Sequence, residues 1–100
     1  MAQSLLHAEV EFELFSASIS GKSIGYRSGV RPNHYIEELG CTVIGSVEFD
    51  GGSIELGERK RALISYLYWE PFAALLKPGL EYEVREGSRR VGNVRVLETE

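Results

Sequence analysis

From Glu9 to Phe15 apolar and polar residues alternate, with Val10, Phe12 and Leu14 set against Glu9, Glu11 and Glu13. That two-residue period predicts a half-buried strand. The three glutamates then project from one face about 7 Å apart. Nothing apolar beside them would raise a carboxyl pKa, so they read as a wet strand face rather than as paired catalytic acids.

The alternation returns at Leu80, Tyr82 and Val84, interleaved with Glu81, Glu83 and Arg85. Glu86-Gly87-Ser88 then reverses the chain into a strand over Arg89 to Leu97. Within it Val91 is out of phase with Val94 and Val96, and the intervening Gly92 predicts a bulge. Between the two regular ends, residues 16–32 read as a long loop with a short strand near Ile24 to Arg27. Strands are predicted over His34 to Leu39 and Thr42 to Phe49, separated by Gly40, with a hairpin turn at Asp50-Gly51-Gly52. After a turn at Gly57-Glu58, Lys60 to Glu70 carries a nearly continuous apolar run rich in aromatics. The aromatics and Pro71 favour a long strand buried on much of both faces over a helix. Phe72 to Leu76 fits one helical turn before a Lys77-Pro78-Gly79 turn. The outcome is about six antiparallel strands and no helix longer than two turns. Edges this apolar need closure into a small barrel or tight sandwich, and the two long loops suit Greek-key crossovers.

A hundred residues make one domain, 43% hydrophobic and 26% charged, with a net charge of −4. Residues 8–98 are expected to form it, after a flexible N-terminus at 1–7 in which His7 frays. Three basic and seven acidic residues fall in the first half and eight of each in the second, so no global attraction to polyanions is expected. Arg85, Arg89, Arg90 and Arg95 leave room for a local basic patch. The lone Cys41 can form no internal disulfide and completes no zinc pattern. With no signal-like or membrane-length apolar run, a cytoplasmic protein away from membranes is expected, needing no cofactor or metal. Gly21-Lys22-Ser23 invites a phosphate-loop reading, but the glycine such a loop needs five positions before Gly21 is Ser16. No helix-forming run follows, so no GTP binding is expected. Cys41 and His34 are the only pair that could make a nucleophile and base, and they read instead as a small buried thiol and an exposed ring. Tyr66, Tyr68 and Trp69 read as barrel core and rim rather than a base-stacking platform.

Three motifs resemble the C-terminal β-barrel domain, domain 3, of translation elongation factor Tu. They are Gly29-Val30-Arg31-Pro32-Asn33-His34-Tyr35, then Glu70-Pro71 followed by Gly79-Leu80, and Arg85-Glu86-Gly87-Ser88-Arg89-Arg90-Val91-Gly92. The resemblance spans roughly residues 8 to 97. It implies an all-β fold, a closed six-stranded antiparallel Greek-key barrel without catalytic residues, which in that family packs on other domains and holds the T stem of tRNA. Carried over by position, the tRNA contacts fall on Asn33, Thr42, Glu86 and Gly87, with Arg31, Arg89 and Arg90 beside them. Such contacts to ribose hydroxyls and phosphates read A-form shape. Against them, Glu37-Glu38-Leu39-Gly40 stand where the family has Arg-Thr-Thr-Asp, two acidic residues in place of a basic one, which weakens phosphate attraction, and Asn33 is one methylene shorter than the family's glutamine. The expectation is therefore a non-catalytic interaction module that docks a protein partner or a second copy of itself, with structured RNA such as tRNA as the alternative.

Overall fold

The computed structural model describes residues 4–100. Eight strands are present: β1 (Leu5–Leu14), β2 (Tyr26–Arg27), β3 (Asn33–Ile36), β4 (Cys41–Phe49), β5 (Ser53–Ile54), β6 (Arg59–Leu67), β7 (Glu81–Glu86) and β8 (Arg89–Thr99). Six of them close an antiparallel barrel in the order β1-β6-β4-β3-β7-β8, because β1 pairs with both β6 and β8. The barrel strands β3, β4 and β6 follow one another as neighbours and β7 returns beside β3, which is the Greek-key order. The two crossovers are the long loops read from the sequence.

Inward positions carry the core: Val10, Phe12 and Leu14 from β1, Val43 and Val47 from β4, Ala62, Ile64 and Tyr66 from β6, and Val84, Val94 and Val96 from β7 and β8. One barrel end is covered by the two-stranded pairing of β2 with β5, where Tyr26 sits edge-on to Phe12. The other is plugged by α2 (Glu70–Ala73), whose Phe72 packs edge-on against Tyr66 at 4.8 Å. Pro71 stands in the first turn of that helix, where a missing N–H costs nothing. The one other α-helix among the described residues, α1 (Ala17–Ser20), is as short.

The bulge lies where the phase error placed it. Val84 pairs with Gly92 and Arg85 with Arg90, leaving Val91 unpaired between them, and both Val91 and Gly92 face inward. A Cβ on Gly92 would sit 2.4 Å from the carbonyl oxygen of Glu13, so only glycine lets β1 approach there.

Several expectations are corrected. The flexible N-terminus does not extend to residue 7: β1 starts at Leu5, and His7 Nδ1 lies 3.0 Å from Ser65 Oγ; residues 1–3 lie outside the described residues. Only Asn33–Ile36 is strand before Gly40, and Glu37–Leu39 forms a 3₁₀ turn. Asp50-Gly51-Gly52 is likewise a 3₁₀ turn, and it leads into β5, which pairs with β2 and not with β4. The segment expected to be buried on two faces ends as a strand at Leu67 and buries only one: Leu63 and Leu67 point outward. A closed barrel of six strands has a single interior, so its outer face is left to solvent.

Candidate functional site

His34 is the clearest departure from expectation. It is fully buried, not an exposed ring, because Asn33 and Tyr35 take the outward positions of β3. Its ring lies in a polar chain inside the barrel: Nε2 is 3.0 Å from the Gly45 carbonyl, Nδ1 is 3.0 Å from Tyr82 Oη, and Tyr82 Oη is 2.6 Å from Tyr66 Oη. A carbonyl only accepts, so Nε2 carries the proton and Nδ1 accepts from Tyr82. Tyr82 has then spent its one proton and accepts from Tyr66. Every ring nitrogen and hydroxyl in the chain has a partner. Burial lowers the His34 pKa to about 4, against a smaller opposing pull from the Gly45 carbonyl, and pushes both tyrosines up. The neutral ring and the protonated phenols therefore form a buried, internally satisfied polar network. Cys41, expected to be buried, is only partly so.

The residues expected to contact RNA divide into two groups. Asn33 pairs with Ile44 on one side and Arg85 on the other, and Arg85 pairs with Arg90, so Asn33 and Arg90 share an outer row, with Thr42 opposite Tyr35 one step along. Arg31 is exposed just before β3. The last hairpin, by contrast, turns inward on the chain's own loop. Glu86 Oε2 accepts from Lys22 Nζ at 2.6 Å and from Tyr26 Oη, while Arg89 lies 3.9 Å from Oε1. Partial burial alone would raise the Glu86 pKa. The hydrogen bonds and charges of Lys22, Tyr26 and Arg89 outweigh it and hold the carboxyl below its ordinary value. Lys22, whose side chain is 10% exposed, also sits 4.5 Å over the Tyr26 ring. The Gly-Lys-Ser triplet thus supplies a latch between loop and hairpin. Gly87, with φ 62, occupies the first central position of the turn, and Ser88 needs no positive φ at the second, as in a type II′ hairpin.

Charge in the candidate patch is partly offset within the fold, with Arg85 and Arg90 sharing Glu83 and Lys22 and Arg89 sharing Glu86. Arg90 pairs with Glu83 at 3.0 Å, Arg85 with the same carboxylate at 3.3 Å while stacking 3.8 Å above the Tyr35 ring, and Arg95 with Glu11 at 3.5 Å. The glutamates of β1 form a cross-strand ladder with Arg59, Arg61 and Arg95. Among the described residues, Arg27, Arg31 and Lys77 are the only Lys and Arg side chains with no carboxylate within 4.0 Å; Arg27 ends β2, Arg31 follows it before β3, and Lys77 lies between α2 and β7. No group of three or more His, Cys, Asp or Glu among those residues is placed to hold a metal ion, and no helix is long and apolar enough to cross a membrane.

What the sequence reading missed lies beside the residues expected to contact RNA and meets them where Ile44 pairs with Asn33. The outward positions of β6 are Arg59, Arg61, Leu63, Ser65 and Leu67, with the exposed Tyr68 and Trp69 just beyond its end; Leu63 is 59%, Leu67 36% and Trp69 43% exposed. Leu5 of β1 pairs directly with Leu67, and Ile44 lies one residue beyond the Gly45–Tyr66 pair, opposite Leu67 on the other side. Leu5, Leu67, Ile44 and Trp69 cluster at one end and Leu63 stands at the other, with the polar cross-strand set His7, Ser65 and Ser46 between them; together the five expose on the order of 500 Å², at the upper end of what monomeric proteins expose. The signal was present in the apolar run, which only Ser65 interrupts. It was assigned to burial on two faces because nothing in the run says that the second face is uncovered.

No protein-family model matches the chain, and no curated protein sequence matches it.

Proposed function

We propose that this protein is a non-catalytic docking module, a small barrel that binds a protein partner through the outer face of β1, β6 and β4. The observation that carries this reading is the apolar row Leu5, Leu63, Leu67, Ile44 and Trp69, which a freely soluble barrel face would replace with charge. Trp and Leu side chains held on rigid paired strands lose little entropy on binding and serve as anchors. The kinship with domain 3 of elongation factor Tu, proposed on three motifs and on the six-stranded Greek-key closure, is consistent with a barrel that works by packing on neighbours. It is also the only ground for a link to translation.

The alternative, binding of tRNA or another structured RNA, draws on Arg31, Asn33, Thr42 and Arg90 sharing one side of the barrel. It is weakened by the carboxylates already paired with Arg85, Arg89 and Arg90 and by the engagement of Glu86 with Lys22. The test compares the wild type with the Leu63→Ser/Leu67→Ser variant in selection from a displayed peptide library, alongside titration with mixed tRNA at low salt. Peptides captured by the wild type and lost from the variant support docking. Saturable, salt-sensitive tRNA binding that the double substitution leaves intact, with no peptide dependent on the row, overturns it.

A further inference from the structure

Resting on the docking reading, we infer the chemistry of the partner: an amphipathic helix whose apolar face lies along β6 and whose basic residue enters an acidic hollow at the Leu63 end of the row. The argument starts from what the barrel withholds. β6 is hydrogen-bonded along its length to β1 on one side and β4 on the other, so it offers no free main-chain edge to an added strand. Recognition on this face must come from side chains. Leu63 to Trp69 spans about 20 Å of extended chain, and Leu5 and Ile44, two strand spacings apart, bracket it with about 10 Å between them. A helix has about that diameter, and about thirteen of its residues cover that length.

Charge fixes the rest of the chemistry. Beside Leu63 lies a hollow of about 320 Å³ bordered by Glu9, Glu48, Asp50 and Arg61. Glu9 is satisfied by Arg61. Glu48, directly opposite Leu63 in the register, and Asp50 have no Lys or Arg nitrogen within 4.0 Å among the described residues. A lysine or arginine suits this place because its methylene stem covers Leu63 while its head reaches the two carboxylates. An acidic or purely apolar partner would leave them facing like charge or hydrocarbon.

The test uses the peptides selected on the wild-type protein and a designed peptide probe: a thirteen-residue amphipathic helix with a leucine face and two lysines at one end, with a matched version in which glutamates replace those lysines. The inference expects Lys or Arg enriched at one end of the selected apolar pattern. It expects the lysine probe to bind the wild type about 10-fold more tightly than it binds the Glu48→Lys/Asp50→Lys variant, and the glutamate probe to reverse that preference. Both charges are exposed, so thermal melts serve to check that this variant folds like the wild type. Selected peptides that depend on Leu67 but carry no basic bias, or a lysine probe indifferent to the charge reversal, overturn the inference and leave the docking reading standing. Loss of all Leu67-dependent binding overturns both. Concentration-dependent self-association that Leu67→Ser abolishes would put a second copy on the row and also overturn the helix assignment.

Discussion

The buried ring of His34 makes the stability of this barrel depend on pH in a window that can be worked out. Burial holds the folded-state pKa near 4, below the ordinary 6.5 expected in the unfolded chain. At and above neutral pH the ring is neutral in both states and the network contributes fully. As pH falls from about 6.5 toward 4, the unfolded ring takes up a proton that the folded one refuses, so stability is lost on acidification and the loss saturates below the folded value. The whole gap is worth roughly 3 kcal/mol, of which about 2 kcal/mol is lost between about pH 7.5 and about pH 5. Glu86 acts in the same direction but lower: its carboxyl is held below 4.5, so its contribution fades only as pH falls through and beneath that value. The assay is urea denaturation at the two pH values for the wild type and for His34→Gln, which keeps a donor and an acceptor but does not titrate. The difference between the two pH dependences isolates His34 and is expected to be about 2 kcal/mol, with the wild type losing more. A double difference below about 0.5 kcal/mol, or a ring titration by NMR with a midpoint near the unfolded value, would refute the buried network.

Donation along the chain predicts unequal costs for two similar changes: Tyr82→Phe strips both His34 Nδ1 and Tyr66 Oη of partners and is expected to cost about 2–4 kcal/mol, whereas Tyr66→Phe removes only a donor and costs about 1 kcal/mol; urea melts at neutral pH compare them. Gly45→Ala places a methyl 2.9 Å from Tyr66 Cδ1 and 3.2 Å from His34 Nε2, and overpacking of this kind is expected to destabilise by about 1–3 kcal/mol in the same melts. Lys22→Met keeps the side chain's bulk but removes the charged donor to Glu86, leaving the Tyr26 hydroxyl on Oε2; faster amide exchange confined to residues 15–32 and the last hairpin is the expected result, and uniform exchange would show the latch to be idle. Leu67→Ser should destabilise by about 1 kcal/mol, because the side chain points outward but is only 36% exposed, while abolishing capture of peptides on the β6 face.

Alternation alone made β1 and β7 legible, since the buried and wet sets there differ in chemistry at every step. The Val91 phase error with Gly92 located the bulge for the same reason: one extra inward residue disturbs a strict period. Six antiparallel strands and closure followed from edges too apolar to leave open. His34 was misjudged because a histidine beside a strand start looks the same in sequence whether it faces in or out. Only pairing with β4 and β7, opposite Val43 and Val84, brings the Gly45 carbonyl and the Tyr82 hydroxyl two residues further along within reach of its ring. The hairpin arginines looked like a patch because the carboxylates that partly offset them, Glu83 and Glu86, share their chain segment in sequence without disclosing their contacts. Lys22, 64 residues from Glu86, could be matched to it only in space. Local periodicity therefore determined most of the strands and an all-β class open between barrel and sandwich, because side-chain direction in a strand depends on near neighbours. Which face of β6 stays uncovered, which charges cancel and where the polar chain runs depend on strands brought together across the closure of the barrel, and the tertiary structure alone decided them.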